Sequence, residues 1–181
     1  MKKLLITLAA ALVSCAAFSQ GAVTFGNRVI AEGVNAPVTF LGDLRPGSPL
    51  GGQALAGPDF LAQFAVNGTP IGTPSPFRTG TLAGSVAAFV QDLGVPGGTS
   101  VEVVMLAWAS ELGSSYAAAL AAGIGGTGTS LPVTVNAAAP PATPTPLAAL
   151  QAFTISPIIP EPGIASLGLL GAAVLLLRRK K

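Results

Sequence analysis

Clusters of glycine and proline cut the middle of this chain into short apolar runs, leaving little room for any regular element except strands. Glycine and proline supply 23 and 16 of the 181 residues. Breaks fall at Pro46-Gly47, Gly51-Gly52, Asn67-Gly68 and Pro96-Gly97-Gly98, among others. Between the breaks lie runs at 22–30, 37–41, 60–66, 84–90, 99–110, 129–137 and 151–156, rich in Val, Thr or Phe. Such side chains fit a pleated, half-buried surface. Strands at this spacing predict an all-β domain, an antiparallel β-sandwich of the jelly-roll or immunoglobulin-like kind. Asn67-Gly68, directly after an apolar run, is a hairpin turn signal. In 99–110, Val104, Leu106 and Trp108 share one face while Val101, Val103 and Met105 share the other, so this strand is expected to be central, with Trp108 buried. The near-repeat of Ala22-Val23-Thr24-Phe25 in Pro37-Val38-Thr39-Phe40 marks either two equivalent edge strands or a coincidence. Residues 115–122 read as one helical turn. The Pro-Ala-Thr stretch 140–146 reads as a linker, but 147–155 resumes the strand pattern and stays inside the domain.

The formal charge of +2 would suggest an anionic partner, but its distribution excludes nucleic acid. Lys2, Lys3, Arg178, Arg179, Lys180 and Lys181 lie at the two ends. Between 21 and 157 only Arg28, Arg45 and Arg78 face Glu32, Asp43, Asp59, Asp92, Glu102 and Glu111; three cations against six acids leave that region at −3. No basic patch exists there to hold a phosphate backbone.

The chain has no histidine, which removes the usual general base and the commonest metal ligand. Cys15 is the single cysteine, so neither a disulfide framework nor a thiolate metal site is available. The acids are scattered singly, and Asp43 and Asp59 lack the spacing of a calcium loop. Gly123-Ile124-Gly125-Gly126-Thr127-Gly128 matches a dinucleotide fingerprint by letter only. A helix-like segment precedes it, a strand follows, and it reads as a flexible turn. Asn67-Gly68-Thr69 spells a glycosylation triplet and reads as a turn. No catalytic residue, metal site or cofactor is assigned, and the chain reads as a non-enzyme.

Residues 1–19 have the build of a secretory signal: Lys2-Lys3, an apolar run, then small residues. Ala17 and Ser19 place the cut between Ser19 and Gln20. Leu12-Val13-Ser14-Cys15 is a rival, a lipobox in which Cys15 would be acylated. The domain then spans 20–157, and 158–181 forms a separate segment. There Pro160-Glu161-Pro162-Gly163 precedes an uncharged run at 164–177 and the cluster Arg178, Arg179, Lys180 and Lys181. A helix over those fourteen residues would be about 21 Å long, short of a ~30 Å hydrocarbon core. Alone, such a run is as readily a buried core helix. The basic cluster directly after it tips the reading towards a single transmembrane helix with a cytoplasmic stop, since long cationic stems snorkel over a small mismatch. Its eight Ile, Leu and Val residues favour insertion by about 2–5 kcal/mol, a marginal anchor.

A Pro-Glu-Pro, a small residue, an apolar helix and a basic cluster, in that order, resemble the PEP-CTERM sorting signal of Gram-negative surface proteins. The same tail also carries the label of an ice-binding protein C-terminal segment, which names the tail and implies no ice binding. Gly163 stands where that family usually has serine, and the helix is on the short side. Phe77-Arg78-Thr79-Gly80, the Pro-Gly-Gly before the strand with Ala107-Trp108, and Ser115-Tyr116 also resemble secreted PEP-CTERM proteins of Verrucomicrobia. The resemblance implies processing by an exosortase near Pro160-Glu161-Pro162, an inner-membrane-anchored precursor, and delivery to the cell surface or outside the cell. The exported domain is then expected to be a structural or adhesive matrix protein, with exopolysaccharide or other matrix components as partners. The alternative is a secreted glycan- or ligand-binding module, which would need an exposed aromatic platform at Trp108.

These readings fix the expected mature N-terminus. Mass analysis of exported protein should find a chain beginning at Gln20; one beginning at a lipidated Cys15 would install the lipoprotein reading instead.

Overall fold

A computed structural model describes residues 20–41 and 52–159. Asp43, Arg45, the signal segment and everything from Pro160 onward lie outside the described residues, so the helices expected to flank the domain, one in the signal and one at 164–177, are not among them. The described chain is mostly β, with one short helix. Its strands are β1 (Gln20–Phe25), β2 (Arg28–Val29), β3 (Val34–Asn35), β4 (Val38–Phe40), β5 (Gln53–Ala54), β6 (Gly57–Val66), β7 (Thr69–Phe77), β8 (Phe89–Pro96), β9 (Ser100–Ala109), β10 (Thr127–Thr129), β11 (Val133–Asn136), β12 (Thr145–Pro146) and β13 (Phe153–Ile155). The helix is α1 (Tyr116–Ala122), and among the described residues none is long and apolar enough to cross a membrane.

The largest sheet has five strands in the order β10-β9-β6-β7, with β11 also pairing β9. β9 is central, as its two apolar faces imply. Val101, Val103 and Met105 enter the main core, while Leu106 and Trp108 join a smaller cluster with Ala65 and Ala119 of α1. Ser115 caps α1, its side chain accepting from the Ala118 amide at 3.2 Å. The Asn67-Gly68 turn joins β6 to β7, both residues at positive φ (48° and 79°), as a two-residue hairpin turn requires. Asn67 also clips the hairpin tip to β9: its Oδ1 accepts from Glu102 N at 3.0 Å and its own amide donates to Glu102 O at 2.8 Å.

The near-repeat proves structurally equivalent, but in the middle of sheets rather than at their edges. β1 lies between a parallel partner, β12, and an antiparallel one, β8; β4 lies likewise between parallel β13 and antiparallel β5. The sheets are therefore mixed, and two of the strand pairs depart from the antiparallel expectation. Both repeats bury Val and Phe and leave Thr half-buried, and both phenylalanines reach β6. Phe25 packs on Phe64 at 5.3 Å between ring centroids, and Phe40 on Phe60 at 5.5 Å.

Two further differences have local causes. β7 reads Thr-Pro-Ile-Gly-Thr-Pro-Ser-Pro-Phe, and three prolines argue against a strand. It forms because, among the described residues, β7 pairs only β6, so prolines cost nothing on its outer side. The run expected at 84–90 is a strand only from Phe89, and it continues to Pro96 through alternating half-buried and exposed residues.

Between β1 and β2 the chain turns on Asn27, which is fully buried. Its Nδ2 donates to Ala36 O (2.8 Å) and Gly84 O (2.7 Å), and its Oδ1 accepts from Val86 N (3.0 Å). One amide thus ties three loops together. Asn27→Ala should cost about 2–3 kcal/mol, because Val86 N–H and Ala36 C=O lose this partner in a dry site. Urea unfolding measures this, and a loss under ~0.5 kcal/mol would contradict the role.

Candidate functional site

Of the residues that the sequence marks for processing, Gln20 alone is described. It opens β1 opposite Pro96, and its side-chain amide faces the Asp92 carboxylate, to which Nε2 donates when the amide is turned to satisfy that contact. Cys15, Ser19, Pro160, Glu161, Pro162, Gly163, Arg178, Arg179, Lys180 and Lys181 lie outside the described residues.

What the structure does show is how the last described residues before that segment are held. The chain from β13 to Ile159 runs against the glycine turn 123–128. Ser156 N donates to Thr127 O (2.9 Å), Gly126 N to Ser156 O (3.2 Å) and Ile159 N to Ile124 O (2.7 Å). Ser156 Oγ adds a bond to Thr127 O at 3.0 Å and accepts from Thr127 N at 3.3 Å. The turn is itself held by β9, since Ala109 N donates to Gly126 O at 2.9 Å. Glycine is required on both chemical and steric grounds. Gly125 and Gly126 have φ of 84° and 71°; a Cβ on Gly125 would strike the Pro157 carbonyl oxygen, and one on Gly126 would lie 2.9 Å from Ile158 Cγ1. A Cβ on Gly128 would lie 2.6 Å from Thr154 O. The turn is thus a packed cradle rather than a loose connection. Ile158, placed in the tail by sequence, is 3% exposed and part of the main core.

Trp108 is fully enclosed. Its indole Nε1 donates to Gly113 O at 2.9 Å, and Tyr116 meets it edge-on at 6.1 Å between centroids. Aromatic pairs of this geometry stabilise a core, and a ring so covered has no face to offer a sugar. Burial also raises the Tyr116 hydroxyl above its ordinary 10.0.

Three shallow concavities lie among the described residues. Two, of about 320 and 330 Å³, lie in the cleft between β7 and β8. Asn67, Gln91 and Asp92 line it, but Asn67 is engaged with β9 and Asp92 with Gln20 and with Gly94 N at 2.9 Å. A third, of about 550 Å³, lies beside Arg78, Pro58 and Pro76. Asp59 is exposed, and no three metal-ligating side chains gather among the described residues. Comparison with family models, with curated proteins and with solved structures finds no match.

The single Trp and single Tyr report on this cluster directly. Native emission should be blue-shifted and insensitive to iodide. Tyr116 should titrate above 10.0 in the folded chain and near it in urea. Because the folded state favours the neutral phenol, its contribution to stability is complete below the unfolded value and is lost as pH rises towards the folded one. Ready quenching by iodide would place the ring at the surface.

Proposed function

We propose that this chain is an exported structural or adhesive protein of the cell surface or extracellular matrix. Its PEP-CTERM-like tail delivers it and an exosortase processes it. The described strands fit a β-sandwich of the jelly-roll or immunoglobulin-like kind, the five-stranded sheet forming one layer and the β1 and β4 sheets the other. The observation that supports a structural role over a glycan module is the enclosure of Trp108, which leaves the single tryptophan no face for stacking on a sugar while Tyr116 lies half-buried against it. The described surface also lacks a phosphate-binding patch: Arg28 and Arg78 are its cations, and Arg28 is engaged with Thr81 O at 2.8 Å. The reading assigns the domain no catalysis, cofactor, metal or nucleic acid. Exopolysaccharide or other matrix components are its partners, and the membrane holds only the precursor.

The division of labour within the tail supplies the test. Glu161→Ala removes the recognition element and leaves the ~2–5 kcal/mol of insertion free energy untouched, so an uncut precursor should accumulate in the inner membrane. Deleting 178–181 removes the stop, and that variant should be released with its apolar segment attached. If Glu161→Ala is processed like the native chain, the motif is not what the enzyme reads.

A further inference from the structure

We propose that the glycine turn 123–128 controls cleavage at the sorting motif by holding the residues immediately upstream of it. The inference rests on the sorting reading above and concerns what limits access to that same site. A protease grips an extended stretch of backbone on both sides of the bond it cuts, using the peptide's own N–H and C=O groups. In this structure those groups are already in use. Ile159, the residue before Pro160, gives its amide to Ile124, and Ser156 uses both its amide and its carbonyl on the turn. Ile158 is buried against the glycines, with no free linker between the packed body and Pro160. Cutting at the motif therefore requires 156–159 to leave the turn, a local opening whose population sets the rate when closing is fast relative to cleavage. A well-folded domain keeps its tail longer, and a loosened one loses it sooner.

The turn supplies its own control. Gly123 and Gly125 both sit at positive φ, 70° and 84°, so alanine strains the backbone at either position. A Cβ on Gly125 strikes Pro157, whereas one on Gly123 meets nothing within 4 Å. Ser156→Ala is a milder second variant that removes only the two Oγ bonds to Thr127. In the full chain, hydrogen exchange at the Ser156 and Ile159 amides should accelerate on the order of tenfold in Gly125→Ala, less in Ser156→Ala, and not in Gly123→Ala. Cutting within 156–160 by added proteinase K should rise in the same order, as should the rate of tail loss in the exporting cell. Faster exchange without faster cutting, or a wild-type chain cut as fast as Gly125→Ala, overturns the proposal. If proteinase K follows exchange while no variant loses its tail in the cell, the occlusion stands and the sorting reading falls.

Discussion

Two phenylalanine contacts onto one strand hold the sheets of this protein together. Phe25 on Phe64 and Phe40 on Phe60 join the β1 and β4 sheets to β6, with similar separations and tilts of 52° and 53°. Phe89 extends the first contact into a three-ring cluster, 5.5 Å from Phe25 and 6.2 Å from Phe64. Each pair contributes about 0.5–1.5 kcal/mol beyond the area it buries. Their larger effect is on register. A one-residue slip of β6 would turn Phe60 and Phe64 away from both sheets at once, because successive side chains point to opposite faces. The small residues around them, Ala62 and Ala107, let β6 and β9 approach the core closely. That economy lets a chain with so little charge and so few large aromatics keep a single packed interior.

The parts of this fold that announce themselves in sequence are those where one strand carries its own pattern. β9 is readable because both faces of 100–109 are apolar, and the Asn67-Gly68 turn because both positions demand positive φ. The parts that stay hidden depend on a neighbour. β7 is a strand only because its outer side is unpaired, which three prolines cannot reveal by themselves. The Val-Thr-Phe repeat was visible as letters, but its place in the middle of two sheets depends on parallel partners that arrive over a hundred residues later. Asn27 gives no local signal, since its three partners come from two distant loops. The glycine run resembled a flexible turn for the same reason: the strand that fills it lies about thirty residues downstream. For the candidate site, the sequence contributes the order of motif, apolar run and basic cluster. The structure contributes the seated strand just before them.

Among the described residues the strand edges are blunted in different ways. Prolines at 70, 74 and 76 remove donors along β7, so it offers little to a passing strand. Its neighbour β8 keeps its amides but carries Gln91 and Asp92 among its apolar residues. Exposed Val90 lies on β8, Leu120 on α1 and Leu131 in the loop between β10 and β11; scattered singly, they are ordinary for a protein surface. Among the described residues, buried small and aromatic side chains and shared backbone groups carry the packing.

On the proposed sorting route, the packed body and the segment after Ile159 have different fates. The C-terminal peptide of native protein recovered from the cell surface or medium, read by mass spectrometry, tests this. The expected chain keeps Ile159 and lacks the apolar run 164–177 and the basic cluster. A surface protein whose last residue is Lys181 would contradict it.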